Sequence, residues 1–103
     1  MSPTSKELCF VPEAKRDVGD AFTWYEEQSV GLGFEFFRCL EATIESIQRY
    51  PSMFPIVLDG YRRALIRRFP YMVFYEIESS RVVVHAIFHC SQDPQKWKVR
   101  LVH

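Results

Sequence analysis

The chain has 103 residues, enough for one domain with a modest core. Its 48% hydrophobic and 25% charged composition excludes a disordered tail, and its 16% aromatic share supplies many large core or contact side chains. Thirteen basic and thirteen acidic side chains cancel, and no apolar run approaches the ~20 residues that span a bilayer.

The first residues, MSPTSKELCF, lack a basic segment followed by an apolar one, so no secretory signal is read there and a cytoplasmic location is expected. Cys9, Cys39 and Cys90 are odd in number, widely spaced and outside any C-x-x-C, which fits reduced thiols. The neutral total hides an asymmetry. Residues 1–60 hold five bases against ten acids, and residues 61–103 hold eight bases against three acids. Either the basic half offers a face to an anionic partner, or the two halves attract each other.

Residues 1–5 are expected to fray. Leu8-Cys9-Phe10-Val11 suits a short buried strand. Pro12 and Glu13 then favour a helix start, and Ala14, Val18, Ala21 and Tyr25 recur at helical spacing, giving a helix over about 13–28. Ser29-Val30-Gly31 is a break. A second helix follows with Phe37, Leu40, Ile44 and Ile47 as its predicted buried stripe, widened by Phe36 and Cys39, and Pro51 stops it. The short link predicts an antiparallel helical hairpin. Glu26, Glu27, Glu35, Glu41 and Glu45 read as solvated helix faces.

Residues 51–60, PSMFPIVLDG, read as a loop. The pattern then changes to β-branched and aromatic runs, predicting strands at about 62–68, 71–77 and 81–89, with a turn at Glu78-Ser79-Ser80. The tail turns at Asp93-Pro94 and closes with a short helix or strand. Helices first and strands after give an α+β fold: an N-terminal strand, a helical hairpin, then a three-stranded antiparallel run forming one sheet with the helices on one face. The other sheet face is left free or covered by a partner, and uncovered apolar surface there would favour a homodimer.

Residues 62–68 place four arginines in seven positions, Arg62, Arg63, Arg67 and Arg68. Guanidinium groups suit phosphates and carboxylates alike, so RNA, DNA and an acidic protein segment are all candidates beside simple solvated edge charges. His85 and His89 fall on one face of the last strand by alternation, yet four strand residues span ~13 Å, too far to share one metal ion. No metal and no cofactor is expected. His89, near the strand end, is placed either as an acid or base or as a hydrogen-bonded structural histidine. G-x-G-x-x-G, P-loop, G-x-S-x-G and H-E-x-x-H motifs are absent.

Taken in order, V-P-E-A-K-R-D-V at 11–18, W-Y-E-E-Q at 24–28, L-G-F-E-F at 32–36, P-S-M-F-P at 51–55, Y-R-R-A-L-I-R-R-F-P-Y-M-V-F-Y at 61–75 and H-C-S-Q-D-P-Q-K-W at 89–97 resemble the RelE/ParE superfamily of bacterial toxins. The likeness covers a single domain over about 6–100, and F-P-Y with D-P-x-x-W is similar to the ParE-like, plasmid-stabilisation type. It implies a toxin of a type II toxin–antitoxin module that arrests growth by binding a protein target, DNA gyrase by family precedent, and is neutralised by a cognate antitoxin. On that reading Arg62, Arg63, Arg67, Arg68, Tyr71, Trp97 and Arg100 are the expected partner contacts. The resemblance also admits a RelE-like endoribonuclease that cuts messenger RNA on the ribosome, for which Arg67, Tyr75 and His89 would carry proton transfer and phosphorane stabilisation. Against that pattern, Tyr71-Met72 and Ser91-Gln92 stand where RelE-like relatives carry arginine. A third reading is a non-toxic module that only binds an antitoxin-like protein.

Overall fold

The computed structural model describes residues 6–102. In chain order it holds β1 (Glu7–Phe10), α1 (Pro12–Gln28), α2 (Leu32–Arg49), a 3-10 turn (Pro51–Met53), β2 (Ile56–Leu58), β3 (Tyr61–Leu65), β4 (Tyr71–Glu78), β5 (Arg81–His89) and α3 (Pro94–Leu101). The sheet is five-stranded in the order β1-β5-β4-β3-β2. β1 runs parallel to β5 and every other neighbour is antiparallel, so the α+β architecture is a mixed sheet. α1 and α2 carry the chain from β1 to β2 at the far edge, and β2, β3 and β4 lead back across the sheet to β5, the parallel partner of β1.

α1 begins at Pro12, whose missing N–H is no loss in a first turn. Between the helices Gly31 takes a left-handed φ of 92°. The amides of Gly31 and Gly33 donate to the two carboxylate oxygens of Glu26, each at 2.9 Å. Glu26 is therefore the cap of α2, rather than part of a solvated face. A Cβ on Gly33 would lie 2.7 Å from the Phe22 carbonyl oxygen, so the hairpin closes this tightly only with glycine there.

The buried stripe of α2 is Phe36, Leu40, Thr43, Ile44 and Ile47. Phe37, expected inside, is 41% exposed, and Phe36 holds the central place with no exposure. The reason is aromatic packing. Phe36 stacks on Tyr25 at 5.4 Å and meets Phe69 and Tyr71 edge-on at 5.5 and 5.2 Å. This cluster joins the hairpin to the near face of the sheet, where Ala64, Val73, Tyr75, Val82, Val84 and Ile87 are buried.

The far face is not left open. Met72, Phe74, Ala86 and Phe88 form a second core with Trp97 and Leu101 of α3. Asp93 caps that helix by accepting from the Gln95 amide at 3.0 Å, with Pro94 in the first turn. The segment 51–60, expected as plain loop, contains the 3-10 turn and the edge strand β2. The strand expected at about 62–68 ends at Leu65, because the chain turns through Ile66–Phe69 and Arg68 adopts a left-handed φ of 72°.

One register shift reorganises β5. Phe74 pairs with Ala86 but Tyr75 pairs with Val84, which leaves His85 as an extra residue. Alternation is broken there, so His85 and His89 do not share a face as expected. His85 meets Tyr61 at 5.1 Å between ring centres, and His89 meets Tyr71 at 5.1 Å.

Leu40 is 3% exposed in the core between α2 and the sheet. Leu40→Ala should lower unfolding free energy by about 2–5 kcal/mol in urea titration. A loss near zero would mean that the helix does not pack as described.

Candidate functional site

Two regions collect the chemically distinctive side chains. The first is the β3–β4 hairpin with its arginines. Arg62 points back into the protein, donating from Nη1 to the carbonyls of Ser52 at 3.3 Å and Phe54 at 2.6 Å. It thereby holds the 3-10 turn and the residue after it against β3. Arg68 lies near Glu35 of α2 at 3.4 Å, with both side chains well exposed. Arg63 is half-buried on β3 opposite Phe74, and Arg67 is exposed in the turn. Among the described residues neither makes an ion pair. Phe69, 8% exposed, anchors the turn from beneath.

The second region is an open cleft of about 610 Å³ beside the last residues of β5. Asp17, Asp20, Ala21 and Trp24 of α1 form one wall, Tyr71 and His89 the floor, and Gln92, Lys96 and Arg100 the other wall. β1 covers β5 only from Arg81 to Val84, so the edge beyond is open. Its outward amides are taken by side chains: Ile87 N–H donates to Asp17 Oδ2 at 2.9 Å, and His89 N–H donates to Gln92 Oε1 at 3.0 Å. Asp17 Oδ2 also accepts from Arg100 Nη2. Burial pushes the Asp17 carboxyl above its ordinary range, and the Ile87 amide and the Arg100 guanidinium pull it only partly back.

His89 is held in one tautomer. Its Nδ1 accepts from the Ser91 amide at 3.0 Å and sits 2.8 Å from Ser91 Oγ, which places the proton of the neutral ring on Nε2. Tyr75 has no exposure, and its hydroxyl donates to the Pro51 carbonyl at 2.6 Å. Burial pushes its pKa up to about 12, against a downward pull from Arg62. Tyr75 lies four residues along β4 from Tyr71, the residue opposite His89, a distance of about 13 Å along a strand. Arg67, Tyr75 and His89 are thus not gathered into one cluster: Arg67 lies in the hairpin turn, Tyr75 in the core and His89 on the cleft floor.

Tyr71 is half-buried, and burial followed by the charge of Tyr25 raises its pKa. Trp97, expected either in the core or as a ring presented to a partner, is 7% exposed and stacks on Phe74 at 4.6 Å. It closes the far-face core, because the tail folds back as a helix. Arg100, expected as a contact, is turned into the Asp17 ion pair. The described residues contain no group of three or more His, Cys, Asp or Glu side chains placed to hold a metal. None of their helices is long and apolar enough to cross a membrane.

The sequence model of one family matches residues 9–94, from β1 to the start of α3; it is described as the ParE toxin of type II toxin–antitoxin systems, parDE. The chain belongs to this ParE toxin family. Among solved structures it is similar to one from the chromosomal ParDE system of Pseudomonas aeruginosa, with a TM-score of 0.73 at 12% identity, covering 82% of this chain and 96% of that one. It is also similar to a structure of the RelBE2 toxin–antitoxin complex from Mycobacterium tuberculosis, with a TM-score of 0.56 at 21% identity, covering 88% and 98%. At these identities the likeness is one of fold. No curated protein matches the chain.

Within this ParE-family fold, sequence reasoning missed Asp17 and Gln92. Asp17 lies in a charged stretch, Lys15-Arg16-Asp17, that reads as a helix surface. Only the shortness of β1, which exposes the β5 edge, gives that carboxylate its task. Its raised pKa fixes the sign of a pH effect. A carboxyl raised in the folded state adds stability that is fully present below its unfolded value and is lost as pH rises through its folded value. Urea titrations across pH should show the wild type gaining stability on the Asp17→Asn variant as pH falls through the range just above an ordinary aspartate. Parallel curves would show that burial does not raise this group.

Proposed function

We propose that this ParE-family chain arrests growth in the bacterial cytoplasm by binding a protein target, with DNA gyrase the family precedent, and that a cognate antitoxin neutralises it. The observation that carries this reading is the burial of Tyr75. An RNA-cleaving site of the RelE kind would draw on Arg67, Tyr75 and His89 together, whereas the Tyr75 hydroxyl is occupied by Pro51 and kept protonated. What the fold leaves available is a binding surface: Arg63, Arg67 and Arg68 on a hairpin anchored by Phe69. Forked cationic donors beside an apolar strand suit an acidic antitoxin segment. The Mycobacterium tuberculosis structure is of a toxin with its antitoxin, which supports a partner of that kind here.

Pulse labelling after induction in bacteria tests the reading. DNA synthesis should stop before protein synthesis. Tyr75→Phe should lose about 0.5–1.5 kcal/mol of stability, the usual worth of one hydrogen bond, while keeping its toxicity. Arg67→Ala should weaken partner binding without altering the fold. If protein synthesis stops first, and His89→Ala or Tyr75→Phe abolishes messenger RNA cleavage, the ribonuclease reading replaces this one. If neither synthesis stops, the chain is an interaction module.

A further inference from the structure

α3 is held to the molecule by few contacts. It has eight residues, too short to be stable as an isolated helix. It buries two side chains, Trp97 and Leu101, against the far face of the sheet. Its third attachment reaches around the open edge of β5: the Arg100 guanidinium lies 5.1 Å from the centre of the Phe88 ring and pairs with Asp17 of α1, on the near side. Arg100 Nε is buried without a hydrogen-bond partner, so Asp17 supplies the polar anchor of that side chain. Asp17 meanwhile accepts the Ile87 amide that β1 leaves unpaired. One carboxylate therefore connects the near-face helix, the β5 edge and the far-face helix.

We propose that Asp17 is a positioning residue for the C-terminal helix, and that α3 is a latched cover that opens from the far face when the Asp17 carboxyl is neutralised. A protonated carboxyl still has an oxygen for the Ile87 amide but gives up the charge that holds the guanidinium. Release of α3 bares Phe74 and Phe88. The groups that face Asp17 are Asp20 on α1, Arg100 and Lys96 on α3, and His89 at the end of β5. Burial of the carboxyl places its neutralisation at milder acidity than for an exposed aspartate. The latch need not add global stability. A partly buried ion pair is often near neutral in net stability and still fixes geometry. Local release removes the Arg100 pull but leaves the carboxyl covered by α1 and the β5 edge, so the released state holds the proton more tightly and acid favours it. Global unfolding removes that cover as well, so its sign is opposite. The proposal is independent of the toxin's target.

Native-state hydrogen exchange on the full chain tests it, read as protection factors so that the intrinsic pH dependence of exchange is removed. At neutral pH, Asp17→Asn should lower protection of the α3 amides about tenfold, the scale of a sub-global opening, while β4 and β5 keep theirs. In the wild type, α3 protection should fall by a similar factor on mild acidification, and in Asp17→Asn it should stay flat. His89→Gln should follow the wild type, which assigns the step to Asp17. Unchanged α3 protection in Asp17→Asn, a step that disappears in His89→Gln, or loss of protection in α3 and the strands together would overturn the proposal. If Asp17→Asn does not fold, the wild-type and His89→Gln profiles decide: a fall confined to α3 and present in both supports it, and any other result overturns it.

Discussion

The strand β5 has to serve two cores at once. It pairs with β1 on one side and β4 on the other, receives α1 on its near face and α3 on its far face, and still has to keep its apolar residues buried. Strict alternation would send Val82, Val84, Ala86 and Phe88 to one face. The extra residue at His85 changes the phase, so that Val82, Val84 and Ile87 fill the near core while Ala86 and Phe88 fill the far one. The cost of the bulge is a polar ring without a strand partner, and Glu76 meets it: His85 Nε2 lies 2.8 Å from Glu76 Oε1. Without this shift Ala86 and Phe88 would turn to the near face, and Trp97 would have no Phe88 beside the Phe74 on which it stacks.

The near core in turn builds the surface that a partner would meet. Tyr25, Phe36, Phe69 and Tyr71 form one aromatic cluster, with ring centres 4.9–6.0 Å apart. Phe69 enters that cluster from the β3–β4 turn, and the turn has to bend sharply to deliver it. Arg68 accepts a left-handed backbone to make the bend, a conformation that costs about 1 kcal/mol or more in a residue with a Cβ. The same bend lifts Arg67 into solvent. Display of the arginines is a consequence of burying the phenylalanine between them and Pro70.

Much of this was legible in the sequence where a period or a punctuating residue carried the signal. Ala14, Ala21 and Tyr25 marked α1, Pro51 closed α2, and Asp93-Pro94 marked the turn into the tail, which read equally as a helix or a strand. Other features depend on tertiary distances. Phe36 and Phe37 are neighbours 100° apart on the helix, and only the aromatic partners across the sheet decide which goes inside. The bulge at His85 leaves no mark in a run such as Val82–Phe88, where nearly every side chain is apolar. Tyr75 and Trp97 carry polar atoms that suit a contact surface as well as a core, and the sheet register and the return of the tail decide between them. Asp17 reads as one more charge on a helix surface until the length of β1 is known.

The charge asymmetry between the two halves resolves in the same way, site by site. Among the described residues two ion pairs cross from the acidic half to the basic half, Arg68–Glu35 and Arg100–Asp17. They differ in kind. The first is solvent-exposed at 3.4 Å, and such pairs are worth about 0–1 kcal/mol, so a partner carboxylate could take Arg68 from Glu35 at little cost. The second is partly buried and tied to a backbone amide, so removing Arg100 would strand a carboxylate inside. Arg62 is likewise held by two carbonyls. Of the five arginines expected at a partner surface, Arg63 and Arg67 make no ion pair among the described residues, Arg68 makes an exposed one, and Arg62 and Arg100 are engaged within the fold. Where each guanidinium group is held is thus set by the local fold and not by the net charge of the chain.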